Sequence, residues 1–154
     1  MIGTTRELAQ AVADRINGYS FTVDLAATRG YAPTLDQEDI GDALACYVVP
    51  IGRSAPPGTE DPAIMGQLGR GHKLRYYDVD VVVTTRTDTG DLDTVDALAD
   101  LMDEVGDLFE GNPLTGLSGR QVRCTAAEPV VVDPDDFHRG QFTSMLRLTF
   151  RVIE

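Results

Sequence analysis

The first group of residues that could do chemistry surrounds a histidine. His72 lies in a basic segment together with Arg70, Lys73 and Arg75. An imidazole can act as a general base, but that role needs a nucleophile or carboxylate partner, and the sequence assigns none. We therefore favour an exposed loop histidine. The alternative is a small cytosolic enzyme or ligand-binding domain that uses this loop.

The second group is an acidic turn with a histidine at its end, formed by Asp133, Asp135, Asp136 and His138. Carboxylates and imidazole bind divalent metals, but Asp-Pro-Asp-Asp is equally typical of a turn that binds none. The glycine-rich segment 66–73 lacks the spacing of a Walker loop and has no Ser or Thr after its lysine. We therefore predict no catalytic residue, no cofactor and no metal, and expect that the protein is not an enzyme.

The third group is an acidic stripe on a predicted helix. Five aspartates recur at intervals of 3, 4, 3 and 4 residues, opposite the apolar side of that helix: Asp93, Asp96, Asp100, Asp103 and Asp107. No Lys or Arg occurs within 87–119 to neutralise them. A solvated helix face is one interpretation, and a surface for a basic partner is the other.

Composition narrows the classes of partner. The 154 residues include 25 Asp and Glu against 13 Lys and Arg, a formal net charge of -12. Such a surface repels phosphate backbones, so we expect no sequence-specific binding of nucleic acid. The hydrophobic fraction of 42% is enough for a core without disulfides or a structural metal. No apolar run approaches the ~20 residues of a membrane span, so we predict no membrane partner.

The two cysteines, Cys46 and Cys124, lie in apolar, strand-like segments and form no CxxC motif. This pattern predicts two buried, reduced thiols. A disulfide between them would require that their two strands face each other, which the sequence leaves open.

These groups are positioned by two helices and five strands. The helices are predicted over 4–17, with a capping box at its start, and over 91–109, closed by Gly111-Asn112-Pro113. The strands are predicted over 21–26, 44–49, 74–85, 121–132 and 142–152. Because the strands come in neighbouring runs, the order α-β-β-β-α-β-β predicts one α+β domain over 1–154. Its sheet is mainly antiparallel, with about five strands, and both amphipathic helices pack on one face.

The other face of the sheet is predicted to be partly open. Alternation in the last strand places Leu146, Leu148 and Phe150 on one side and Met145 on the other. Val82 and Ile153 share the side of Met145, which makes that side a candidate subunit surface.

A long irregular segment over 52–71 contains three prolines and five glycines. Loops of this length are usually functional or become ordered by a partner. We expect Ile64, Met65 and Leu68 to anchor it on a neighbouring subunit. The basic residues at its end and just beyond it, Arg70, Lys73 and Arg75, are then expected to meet carboxylates of another subunit, with the acidic helix as a source. The predicted interface is therefore Ile64, Met65, Leu68, Arg70, Lys73, Arg75, Asp96, Asp100, Asp103 and Asp107.

The whole layout resembles the tail terminator proteins of long-tailed bacteriophages, also called tail completion, minor tail or neck proteins. The resemblance rests on the opening helix 7–16 running into 21–23, the strand 76–83, the acidic second helix, and the closing strand 142–152. It implies a small α+β subunit with no catalytic residues. Six such subunits would form a ring that stops tube polymerisation and docks the tail to the head.

The same resemblance implies the partners. They are further copies of the chain in a homo-hexameric ring, the tail tube protein, and the head–tail connector or neck proteins. Genomic DNA would pass the lumen without sequence-specific binding. The expected location is the virion tail or neck, and the host cytoplasm during assembly. Another neck or head-closure protein is the alternative within this class.

Overall fold

Two helices and five strands build the part of the chain that the structure describes. The computed structural model describes residues 4–30, 44–54, 74–86, 92–115, 117, 120–130 and 141–153. The elements, in chain order, are α1 (Thr4–Asn17), β1 (Ala27–Arg29), β2 (Ala45–Arg53), β3 (Leu74–Arg86), α2 (Leu92–Phe109), β4 (Gln121–Val130) and β5 (Gln141–Ile153). The predicted α+β class and the predicted element order are confirmed.

The strands form a single sheet with the order β1-β2-β3-β5-β4. The pair β1 and β2 is parallel, and every other pair is antiparallel. The two long strands β3 and β5 lie at the centre and stay in register from Leu74 opposite Ile153 to Arg86 opposite Gln141. Because side chains alternate along a strand, this register sorts all residues of both strands onto two faces.

Both helices pack on one of these faces, which we call the covered face. Apolar residues of α1, α2 and the strands form one core there. Its fully buried members include Leu8, Val12, Ile16, Val48, Val79, Val81, Val83, Val105, Leu148 and Phe150. The period of about 3.6 residues in the helices and of 2 in the strands matches the sequence pattern. The predicted sides of β3 and β5 are therefore confirmed.

The first strand was predicted in the wrong place. Residues 21–26 form no strand, and β1 is the short segment Ala27–Arg29. Phe21 packs into the core from an irregular segment. Its alternation with polar neighbours therefore reflects the burial of one side of this segment, without a strand. Strand β1 begins at Ala27, whose backbone forms two hydrogen bonds with the side-chain amide of Asn17. The amide oxygen accepts a hydrogen bond from Ala27 N (2.7 Å), and the amide nitrogen donates one to Ala27 O (3.0 Å).

The second strand was predicted to end at Pro50, but β2 continues to Arg53. In the described ranges, strand β1 pairs only with residues 46–48 of β2, so β2 forms the edge of the sheet at Pro50. Proline has no backbone N–H to donate, and a sheet edge tolerates this. A register shift follows between Pro50 and Gly52, and Gly52 has a φ of 139°, which favours glycine.

The end of α2 is as predicted. Gly111 has a φ of 74°, and the Asn112 side chain donates to the free carbonyl of Leu108 (3.1 Å). Gly111 N then donates to Cys124 O (2.9 Å), which ties the chain after the helix to β4. Strand β4 is an edge strand in the described ranges, and it has a bulge between Cys124 and Ala126.

Candidate interaction surface

Most of the predicted loop contacts cannot be placed. Ile64, Met65, Leu68, Arg70 and Lys73 lie outside the described residues. The same holds for His72, for the cluster of Asp133, Asp135, Asp136 and His138, and for 55–71 of the predicted loop. Their assigned roles therefore remain predictions.

Arg75 is the one member of the predicted basic segment that the structure describes. It belongs to β3, opposite Val152 of β5, and is half-buried on the covered face. The predicted strand over 74–85 already included Arg75, and β3 confirms that strand. The expected contact of Arg75 with a carboxylate of another subunit stays a prediction.

The acidic stripe is placed as predicted. All five of its aspartates, Asp93, Asp96, Asp100, Asp103 and Asp107, are exposed on α2. The buried side of the same helix contains Leu98, Leu101, Met102, Val105 and Phe109. The stripe therefore faces away from the sheet, and its carboxylates are available to a partner on that side of the subunit.

The face of the sheet opposite the helices, which we call the outer face, holds an ion pair at its centre. Asp80 of β3 is 4% exposed. Arg147 of β5 lies opposite it and donates from Nε to Oδ1 (2.8 Å) and from Nη2 to Oδ2 (3.0 Å). These hydrogen bonds, together with the charge of Asp80, raise the pKa of Arg147 above its ordinary value.

A neighbouring pair continues this polar row. Thr149 Oγ1 donates to Asp78 Oδ1 (2.8 Å), one step along the same two strands. Glu128 of β4 lies in register with Arg147 on its other side. Local sequence patterns do not reveal this row, because each pair joins strands about 70 residues apart. The signal was the interruption of the apolar strand 79–83 by Asp80.

A second basic feature of the outer face lies at the corner where β4 begins and β5 ends. A hollow of about 360 Å³ is lined there by Arg120, Arg123 and Arg151, together with Leu114 and Ile153. Arg120 forms an ion pair with Glu7 of α1. We call Arg123 and Arg151, which lie directly opposite each other on the two strands, the arginine corner. Local sequence patterns do not reveal this pair, because only the strand register brings the two arginines together.

A larger hollow of about 670 Å³ separates α1 from the segment that leads into β4. Its lining is mixed, with Glu7, Asp14, Arg15 and Arg120 beside apolar groups such as Leu114. Arg15 is held there by a hydrogen bond to Pro113 O (2.7 Å), and its guanidinium lies 5.7 Å from the centre of the Phe109 ring. The hollow could accept a small polar molecule.

Both cysteines are buried and free, as predicted. They lie on β2 and β4, which are separated in the sheet by β3 and β5, so about 14 Å of sheet lies between their strands. A disulfide needs Cα atoms within about 7 Å, which excludes this bond. Burial raises the pKa of Cys46 to about 12 and that of Cys124 to about 11, so both are unreactive thiols at neutral pH.

Two further findings hold for the described ranges. No three His, Cys, Asp or Glu side chains in them are arranged to hold a metal ion. Neither described helix is long and apolar enough to cross a membrane.

Comparison with known proteins adds information on the fold alone. No protein-family model matches the sequence, and no curated protein matches it either. A solved structure matches with a TM-score of 0.53 and 16% sequence identity, over 95% of this chain and 90% of that chain. At this identity the match shows a shared fold over nearly the whole domain.

Proposed function

We propose that the protein is a structural subunit of a bacteriophage tail, which caps the head-proximal end of the tail tube as a ring and joins the tail to the head. One observation supports this proposal above the others: an acidic patch and a basic patch lie on opposite sides of the subunit. The acidic stripe of α2 lies on the helical side. The arginine corner, Arg123 and Arg151, lies on the outer face of the sheet.

Opposite patches on opposite sides favour head-to-tail contacts, because each subunit can present one patch and receive the other. Contacts of this kind form a ring when the rotation between neighbours closes. The overall order of helices and strands, and the resemblance of segments 7–23, 76–83 and 142–152 to tail terminators, agree with a ring-forming subunit.

In such a ring the net charge of -12 has a direct use. An acidic lumen repels DNA phosphates, so the genome passes without sticking. The proposed partners are other copies of the chain, the tail tube protein and the head–tail connector or neck proteins. The proposed location is the virion tail or neck, after assembly in the host cytoplasm.

A second candidate is a small ligand-binding domain. The hollow of about 670 Å³ beside α1 favours it, because that volume is typical of small-molecule sites and several charged groups converge there. In this case the protein would remain a monomer, and a ligand would compete with the ion pair between Glu7 and Arg120.

Native mass spectrometry combined with electron microscopy of tail tubes tests the first proposal. We expect a closed oligomer, with six copies as the expected number, and rings at one end of each tube. Adding the protein to polymerising tube protein should shorten the tubes. Tube protein alone is the control. A protein that stays monomeric and leaves tube length and tube ends unchanged would overturn the proposed function.

A further inference from the structure

The arginine corner holds two positive charges that the described residues do not neutralise. Arg123 is exposed and Arg151 half-buried, and they lie directly opposite each other on β4 and β5. Like charges in this position destabilise a strand pair. Neither guanidinium forms an ion pair within the described ranges, although acidic residues outnumber basic ones by 25 to 13. An external anionic group would relieve this repulsion.

The first half of α2 is largely exposed within the described part of the chain. Among residues 92–100, Leu98 alone is buried, and Leu92 is 72% exposed. Leu92, Asp96 and Asp100 are spaced by four residues and therefore share one side of the helix. This half-helix thus presents two carboxylates and an aliphatic group on one surface.

We propose that the arginine corner of one subunit binds the first half of α2 of a second copy of this chain, with Arg123 and Arg151 facing Asp96 and Asp100. The inference rests on the proposed ring and names its contact. The spacing fits, because residues four apart on a helix lie about 6 Å apart along its axis, and opposed residues on antiparallel strands lie about 4.5–5.5 Å apart.

The contact must join two different subunits. Helix α2 packs on the covered face through Leu101 and Val105, whereas Arg123 and Arg151 lie on the outer face. The sheet separates the two patches within one chain. Each subunit therefore offers its helix to one neighbour and its corner to the other, which is a heterologous contact.

The test reverses the charges on each side of the contact in two separate variants. Association is then measured for each variant alone and for a mixture of the two. The corner variant carries Arg123→Glu and Arg151→Glu, and the helix variant carries Asp96→Arg and Asp100→Arg. A control with Arg6→Glu and Arg53→Glu alters the net charge as the corner variant does, at two exposed arginines of α1 and β2. Association is measured by sedimentation velocity at about 0.05 M and about 0.5 M NaCl.

We expect each reversed variant to associate about 100-fold more weakly than the wild type, because like charges then face each other. The control should associate as the wild type does. An equal mixture of the corner and helix variants should recover alternating, even-numbered oligomers. High salt should weaken association of the wild type and of the mixture, because it screens these charges.

The outcomes separate this contact from the proposed function. Wild type and corner variant that associate equally would overturn the contact and leave the ring in place. Loss of association in both variants without recovery on mixing would also overturn the contact. If the corner variant loses only binding to a short DNA duplex, the corner is a phosphate site and the proposal is wrong. A wild type that is monomeric with and without tail tubes would overturn both.

Discussion

The two faces of one sheet differ sharply along β5. Leu148, Phe150 and Val152 are fully buried under the helices, whereas the residues between them, Thr149 and Arg151, keep part of their surface on the outer face. The covered face is completed by the chain itself. The outer face carries charges that hydrogen bonds hold in fixed positions, which is typical of a surface that meets a partner.

The energetics of the two faces differ in the same way. Full burial of a large aliphatic or aromatic side chain contributes about 1.5–3 kcal/mol. An ion pair with substantial exposure contributes at most about 1 kcal/mol. Stability therefore resides mainly on the covered face, and exposed charges of the outer face such as Arg123 can serve association at small cost to folding.

The largest expected effect comes from placing one charge on each face in turn. Leu148→Asp or Phe150→Asp should abolish folding, because an unpaired buried charge costs several kcal/mol against a total stability of ~5–15 kcal/mol. Arg151→Asp, on the next position of the same strand, should fold and fail only in association. Circular dichroism and urea unfolding of the three variants measure this. Equal unfolding by the substitutions on both faces would mean that the faces are wrongly assigned.

The ion pair of Asp80 and Arg147 gives a smaller effect. Arg147→Met should lower the free energy of unfolding by roughly 2–3 kcal/mol, because the buried carboxylate of Asp80 loses its charged donors. The double variant with Asp80→Val and Arg147→Met should recover most of this loss, since well-packed apolar residues often replace buried ion pairs without cost. Urea unfolding of the wild type, both single variants and the double variant gives a double-mutant cycle for this pair. Additive losses would show that the pair is not coupled.

The thiols of the covered face predict a pH dependence. Burial raises the pKa of Cys46 from 9.0 to about 12, so above pH 9.0 the unfolded chain releases this proton and the folded chain does not. The free energy of unfolding should therefore fall by about 1.4 kcal/mol per pH unit for this thiol, from pH 9.0 until the folded pKa is reached. For Cys124 the same decline in the free energy of unfolding ends near its folded pKa of about 11.

Urea unfolding at about pH 8 and about pH 10.5 tests this prediction on the wild type and on Cys46→Ala and Cys124→Ala. Each alanine variant should show a shallower decline, because it lacks one of the two protons. The other ionisable groups are common to all three proteins, so their contributions cancel in the difference. Parallel pH profiles would indicate that the thiols are accessible to solvent.

The two faces of the sheet could be predicted from the sequence, and the charged pairs on the outer face could not. Regular spacing, as in Leu8, Val12 and Ile16 of α1, reports burial directly, because the period of an element fixes which residues share a side. The acidic stripe of α2 was found for the same reason. The ion pair of Asp80 and the arginine corner depend on which residues lie opposite across strands, and local patterns do not contain that register.

The misplaced first strand shows a second limit of prediction from local sequence patterns. Phe21, Val23 and Leu25 alternate as a strand does, but they pack on the core from an irregular segment. Two side-chain contacts hold the chain there: Asn17 with Ala27, and Glu104 with Thr22. Tertiary hydrogen bonds of this kind override a short local pattern.

The smallest expected effect tests how completely the covered face is filled. Gly106 is a buried glycine within α2, and a Cβ added to it would lie 3.8 Å from a Leu146 methyl and 4.0 Å from Ala127 Cβ, which are ordinary contacts. A hollow of about 340 Å³ lies beside this position. Gly106→Ala should therefore raise the free energy of unfolding by about 0.5–1 kcal/mol, because alanine favours the helix and no neighbour has to move.

The matched control is Gly111→Ala, just beyond the same helix. Its φ of 74° is unfavourable for alanine, so this change should lower the free energy of unfolding by about 1–2 kcal/mol although the space around it is open. Thermal and urea unfolding of both variants measure the two signs. Destabilisation by Gly106→Ala would show that α2 lies too close to β4 and β5 for a methyl group, and that the covered face is complete there without one.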